Sequence, residues 1–397
     1  MRRVAVIAGS RADYGLVRWI CQDVQESPHL SLQLILSGSL NDLTSNQAQE
    51  ISEDGLLVSA VAGIPVPLEG EANGVWLGQV LSATYESLLK LQPDVVLLTG
   101  DRIETLAAAQ AAVLLGIPIA HLHGGELSVG SIDDSIRHAI TKLSSRHFAT
   151  APQYARRIMQ MGEPTESIFV VGNPGTSPLI RGCLPSREEV ERAFSVNLSD
   201  PYFVVTYHPV TAIRQESIQG AEAMLEALVN QDRHHVIMTG VNVDPGAAEL
   251  RKLIVQYAKQ FPKTITLIDS FGHNAYLTVL SNSMACVGNS SSGIIEAPAA
   301  GVPTVNIGTR QEGRLRGPSI IDVSARTEEI SRALESVTTE AFQNTSQGLK
   351  VTGRDQDPSR LVADLLGEEW TKGEPAKLFR DCLSGCSSWQ MVSNDVA

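Results

Sequence analysis

The densest chemistry in the chain lies at His121-Leu122-His123-Gly124-Gly125-Glu126, followed closely by Asp133-Asp134-Ser135-Ile136-Arg137-His138. Carboxylates and imidazoles this close together suit either a metal site or an acid/base set, and the paired glycines let backbone approach a ligand. The H-E-x-x-H spacing of a dedicated zinc site is missing. Asp133 or Asp134 also suits the N-cap of a helix over Ile136–Leu143. A second cluster, Gly288-Asn289-Ser290-Ser291-Ser292-Gly293, is small and rich in hydroxyls. Its N–H and O–H groups suit a diphosphate, and Glu296 just beyond suits vicinal ribose hydroxyls. Arg310, Arg314 and Arg316 then supply local positive charge in an acidic protein.

Three smaller clusters complete the set. Gly9-Ser10-Arg11 reads as a phosphate-binding turn with a guanidinium fork, or as a plain turn with a surface arginine. Gly100-Asp101-Arg102 is a charged pair that either points into a cleft or caps a helix as a structural ion pair. His208, in Tyr207-His208-Pro209, is either a structural histidine or a site group. No G-x-G-x-x-G fingerprint and no P-loop occurs, which argues against dehydrogenase and kinase chemistry.

Each cluster follows a short apolar run, and those runs predict the elements that position it. Strands are expected at Val4–Ala8, Leu32–Leu36, Val95–Thr99 and Ile117–His121, with helices over Ala12–Glu26 and Glu104–Leu115. After the Gly/Pro-rich stretch 172–178 the pattern restarts. Strands are expected at Tyr202–Tyr207, His235–Thr239, Ile265–Ile268, Ala285–Gly288 and Thr304–Ile307, with helices over Ser217–Asn230 and Ala247–Gln260. Continuous apolar strands alternating with helices predict parallel sheets covered on both faces. The fold class is therefore α/β, with two doubly wound Rossmann-type domains over 1–177 and 178–366 and a cleft between their strand ends. Thr345–Arg360 reads as a loop, Leu361–Leu366 as part of a last helix, and 367–397 as a loosely ordered tail.

Composition narrows the partners. The 397 residues are 43% hydrophobic and 19% charged, which excludes disorder and coiled coil. A formal charge of -13 argues against nucleic acid and against an acidic membrane surface. The five cysteines are scattered, and the Cys382/Cys386 pair has no companion ligands, so neither a disulfide framework nor zinc is expected. The first apolar run ends at Gly9, too early for a signal peptide, and no run approaches about 18 apolar residues. A cytoplasmic protein is expected.

Seven motifs occur in register: Gly9-Ser10-Arg11-Ala12-Asp13-Tyr14, Gly100-Asp101-Arg102, His123-Gly124-Gly125-Glu126, Asp133-Asp134-Ser135-Ile136-Arg137-His138, His208-Pro209-Val210, Gly288-Asn289-Ser290-Ser291-Ser292-Gly293 and Gly308-Thr309-Arg310-Gln311. Together they resemble the hydrolysing UDP-N-acetylglucosamine 2-epimerases of bacterial sialic acid synthesis, over about residues 3 to 366. The resemblance implies a GT-B-like fold closing on a UDP-sugar. It implies conversion of UDP-GlcNAc and water to N-acetylmannosamine and UDP through a glycal, with no cofactor and no metal, in a homodimer or homotetramer. It places Arg11, Asn242, Ser290, Ser291, Ser292, Gly293, Glu296 and Arg310 at the nucleotide, and Asp101, Arg102, Asp133 and His208 at the chemistry.

Two departures bear on the sugar. Relatives of the sialic type carry Glu where His123 stands, so that role passes to His123 or Glu126. Relatives also carry a His in a Gly-x-His-Leu context, where this chain has Gly38-Ser39-Leu40-Asn41. The alternatives are the same reaction on a 2,4-diacetamido-2,4,6-trideoxy sugar nucleotide of the legionaminic acid route, a GT-B glycosyltransferase, or a silent nucleotide-sugar sensor.

Overall fold

The computed structural model describes residues 1–40, 46–64, 73–129, 131–209, 214–231, 233–241, 247–351 and 356–368. Seven strands form the first sheet: β1 (Arg2–Ala8), β2 (Leu30–Leu36), β3 (Val58–Val61), β4 (Val95–Thr99), β5 (Ile119–Leu122), β6 (Arg146–Ala149) and β7 (Ile168–Val170). Six form the second: β8 (Tyr202–Thr206), β9 (His235–Thr239), β10 (Ile265–Ile268), β11 (Ala285–Gly288), β12 (Thr304–Ile307) and β13 (Ile320–Val323). Every strand pairing is parallel, in the orders β3-β2-β1-β4-β5-β6-β7 and β10-β9-β8-β11-β12-β13. The expected two doubly wound sheets are what the chain forms.

The local reasons are those of buried parallel strands. Every residue of β4 and of β8 is buried, so apolar side chains must line both faces. The Ala-rich helix Ile103–Leu114 buries Ala107, Ala108, Ala109, Ala111 and Ala112 and so lies close on its sheet. In each sheet the strand order reverses direction once, between β1 and β4 and between β8 and β11. That reversal leaves a crevice at the carboxyl ends, where doubly wound sheets take their ligands. Gly288 ends β11 at φ +132°, and a Cβ there would lie 2.0 Å from the Thr206 carbonyl oxygen. Only glycine permits β8 and β11 to close together at this point.

The second domain does not extend to residue 366 as one unit. The final helix, Pro358–Gly367, crosses back and buries Val362, Ala363, Leu365 and Leu366 in the core of the first domain. Arg181 fastens the two crossing segments to helix α1 (Arg11–Glu26): it bonds Asp23 at 2.5 Å, pairs with Asp357, and lies over Trp19 at 4.7 Å. Ser177 Oγ donates to Asp357 at 2.6 Å across the same pair of segments. The expected loop 345–360 is broken as well, since residues 345–347 finish the helix Glu340–Gln347. Cys382, Cys386 and the expected tail from 369 onward lie outside the described residues. Among the described residues no helix is long and apolar enough to cross a membrane.

Candidate active site

Most of the candidate residues sit just beyond strand ends, while Asp133 and Glu296 lie in the first turns of helices. On the first domain, Asp101 follows β4, and its carboxylate pairs with Arg137. Arg137 is buried inside the helix Ile132–Leu143 and also meets Asp134 at 3.4 Å and Ser128 Oγ at 3.0 Å. Burial, together with the nearby positive Arg314, pulls the Arg137 guanidinium down to about 10. The expected carboxylate cap is corrected: Ser131 caps this helix, its Oγ accepting from the Asp133 N–H at 3.2 Å. Both aspartates occupy the first turn, where negative charge suits the helix end. Asp134 Oδ1 is already taken by the Ser128 N–H at 2.7 Å, whereas Asp133 is only half-buried.

Arg102 faces the β1–α1 turn. Its Nε lies 2.5 Å from Glu104 Oε1 and 3.9 Å from Asp13 Oδ2. Burial raises the Asp13 carboxyl to about 6, against the pull of Arg102 and a 2.8 Å bond from Ser10 Oγ. Asp13 stood in the sequence only as a member of the first motif and Glu104 only as a neighbour of Arg102, neither with a role of its own. The Arg11 side chain lies outside the described residues.

His123 takes a left-handed backbone, φ +66°, at the turn after β5. Its ring Nδ1 lies 2.7 Å from Glu126 Oε1, which also accepts from Thr150 Oγ1 at 2.8 Å. Burial opposes charge on Glu126, but His123, Arg314 and Thr150 outweigh it and hold the carboxyl below its usual range.

On the second domain, His208 follows β8 and is buried. Asn289 clamps it by the backbone: Asn289 Oδ1 accepts from the His208 N–H at 2.7 Å, and Nδ2 donates to the His208 carbonyl at 2.8 Å. The Asn289 carbonyl in turn accepts from Arg310 Nη1 at 3.1 Å and Gln311 Nε2 at 2.8 Å. Burial and the Arg310 charge pull the His208 imidazole down to about 3. Ser290 caps the 3-10 turn Ser291–Gly293, and Ser292 Oγ is engaged with Tyr276 OH at 2.5 Å. Glu296 Oε2 is buried without a hydrogen-bond partner, and burial raises its carboxyl. Asn242 lies outside the described residues.

The two halves meet. The Leu315 N–H donates to Tyr154 OH at 3.3 Å, and a Cβ on Gly313 would lie 2.8 Å from Val129. Across this seam Arg314 acts on Glu126, while His123 and Glu126 act on Glu296. Arg314 stood in the sequence only as one of three local arginines; its place between the domains comes from the fold. Arg316 is spent on Asp322 at 2.8 Å. A separate interdomain cavity of about 720 Å³ lies between Arg18 and Asp54 on one side and Phe271 and His273 on the other. None of the expected site residues lines it. Among the described residues no group of three or more His, Cys, Asp or Glu is placed to hold a metal.

A protein-family model described as UDP-N-acetylglucosamine 2-epimerase matches residues 22–365. Solved structures with this architecture include a UDP-GlcNAc 2-epimerase from Neisseria meningitidis, with a TM-score of 0.75 at 17% identity, covering 92% of this chain and 99% of that one. The fold is thus the two-domain GT-B arrangement of those proteins, and the chain belongs to the UDP-N-acetylglucosamine 2-epimerase family. Among its relatives is a GDP/UDP-N,N'-diacetylbacillosamine 2-epimerase (hydrolyzing) of Campylobacter jejuni, 30% identical and spanning 92% of this chain and 95% of the relative. A UDP-N,N'-diacetylbacillosamine 2-epimerase (hydrolyzing) of Legionella pneumophila is 34% identical over 84% of this chain and 88% of its own length. A UDP-N-acetylglucosamine 2-epimerase of Neisseria meningitidis is 33% identical, over 84% and 87% respectively.

Proposed function

We propose that the protein is a hydrolysing sugar-nucleotide 2-epimerase that converts UDP-GlcNAc and water to N-acetylmannosamine and UDP. The observation that carries this reading is the seam itself. Acid/base groups at the strand ends of the first domain act electrostatically on Glu296 in the loop-and-arginine half of the second. Such a division suits a sugar held against the first domain and a nucleotide held against the second.

Each nucleotide role follows from a group's chemistry. The buried, unpartnered Glu296 Oε2 accepts from a ribose hydroxyl, which removes the cost of leaving it bare. Arg310, Arg11 and the Ser290–Gly293 loop hold the diphosphate and stabilise the charge that grows on it as it leaves. Asn242 belongs to this half by resemblance. Asp101, His123, Glu126 and Asp133 surround the sugar, with neutral His208 facing them from the second domain. Arg102 serves as a positioning residue through Glu104 and Asp13. The C2–H pair becomes the C1–C2 π bond while the C1–O pair departs with UDP. Water then bonds to C1, and C2 takes a proton on the opposite face.

The second reading is the same reaction on a UDP-2,4-diacetamido-2,4,6-trideoxy sugar, supported by the names of the Campylobacter and Legionella relatives as diacetylbacillosamine 2-epimerases. Both sugars are offered in oxygen-18 water. Label on the released sugar and none on UDP supports C1–O cleavage. Label in the UDP phosphate replaces the proposal with attack of water on the β-phosphorus and cleavage of the P–O bond to the sugar. Unlabelled UDP without solvent deuterium at C2, in deuterium oxide, leaves simple glycoside hydrolysis instead.

A further inference from the structure

We infer that His123 exchanges the C2 proton of the sugar through its Nε2 atom, and that Glu126 is its positioning residue, fixing the imidazole tautomer from behind. The inference rests on the 2-epimerase reading and settles which of two neighbouring groups meets the substrate.

Glu126 cannot easily serve as the reacting base itself. Its Oε1 is bonded at 2.7 Å to His123 Nδ1 and at 2.8 Å to Thr150 Oγ1, and it is 4% exposed. A carboxylate at that distance accepts the Nδ1 proton, which leaves Nε2 as the bare acceptor. His123 is 6% exposed, and its Nε2 is buried with no hydrogen-bond partner. A bare ring nitrogen in a buried position is costly unless something binds it. The left-handed backbone of His123 points the same way, because a non-glycine residue at φ +66° is held there against its preference. The bond to Glu126 three residues on ties the ring down across the intervening glycine pair. Strain at the turn and a bare nitrogen together describe a group aimed at something absent from the free protein.

In the elimination the C2–H electron pair forms the C1–C2 π bond, the C1–O pair leaves on the UDP oxygen, and the proton comes to rest on Nε2. The imidazolium so formed sits against the Glu126 carboxylate, and its proton passes to solvent water before the next turnover. Three ionisable groups act on the ring: Glu126 from the same turn, His121 from β5, and Glu296 from the second domain, while Arg314 acts on Glu126 and Glu296.

Wild type, His123→Ala, His123→Glu and Glu126→Gln are compared with UDP-GlcNAc and with the diacetamido analogue, measuring turnover, C2 deuterium uptake, UDP affinity and pH profile. His123→Ala is expected to lose about 10²–10⁴-fold in kcat and in deuterium uptake, with UDP affinity within threefold. His123→Glu is expected to recover part of that loss, since a carboxylate replaces the base. Glu126→Gln keeps an oxygen for the Nδ1 proton but removes the charge, so the acid limb of its kcat profile moves to lower pH. Deuterium uptake at the wild-type rate in His123→Ala, or an unmoved acid limb in Glu126→Gln, overturns the assignment. A wild type inactive on both substrates overturns the 2-epimerase reading instead, and this assignment with it.

Discussion

Asn289 spends every polar group it has on holding others: its side chain grips both backbone groups of His208, and its carbonyl gathers Arg310 and Gln311. His208, Asn289, Arg310 and Gln311 are therefore one rigid knot. Arg310→Ala and Ser290→Ala should each weaken UDP binding about ten- to a hundredfold while circular dichroism stays unchanged, since one charge-assisted bond is lost. Calorimetric affinities within twofold of wild type in both variants would remove the loop from the phosphate site. Asp13 makes a prediction of opposite character. Its folded pKa of about 6 exceeds the ordinary 3.8, so the native state holds that proton more tightly than the unfolded chain does. Its contribution is greatest at low pH and is lost as pH rises from about 4 through 6. Asp13→Asn removes that dependence, so its stability relative to wild type should improve by up to about 3 kcal/mol between pH 4 and pH 7. Denaturant titrations at the two pH values check it, and a constant difference would refute it.

The helix Pro358–Gly367 belongs in sequence to the second domain and in packing to the first. Leu366 is fully buried among β1, β2 and α1 residues, so Leu366→Ala should cost about 2–5 kcal/mol and lower the unfolding temperature of the first domain. Differential scanning calorimetry separating the two domains would show it, and a loss confined to the second domain would contradict the packing. This helix also marks the limit of what the sequence disclosed. Strands such as His235–Thr239 and Ala285–Gly288 were legible to the residue, because buried parallel strands are short apolar runs with clear stops. β3 and β13 were not, because these edge strands are only partly buried and lack a continuous apolar run. In the candidate site, residue types were open to reading and their pairings were not. Asp101 read as the partner of Arg102, yet Arg137, 36 residues on, reaches it through the fold. Asp13, Glu104, Asn289 and Arg314 act through contacts between elements, which no local spacing announces.

At the scale of the molecule, two buried imidazoles bear on stability in acid. Burial brings both His121 and His208 down to about 3 from 6.5, so the unfolded chain binds more protons than the native one between those values. Their contribution is present above pH 6.5 and is lost as pH falls toward 3. His208→Gln should reduce the slope of stability against pH between 4 and 6 by about 1.4 kcal/mol per pH unit. Urea titrations across that range test it, and an unchanged slope would mean His208 is not held neutral. The returning helix has a further consequence, in the order of synthesis. The first sheet is complete at Val170, but the helix that closes its core ends at Gly367, 197 residues later. At about 5–20 residues per second, a ribosome leaves that interval open for roughly 10–40 s. The nascent first domain must stand through it with an uncovered apolar stripe, while the whole second domain emerges and has time to fold. The domain made first is finished last. Since Arg2 Nη1 already bonds the Leu366 carbonyl at 3.1 Å, a permuted chain beginning with that helix would bring its own cover into the world ahead of the sheet that needs it.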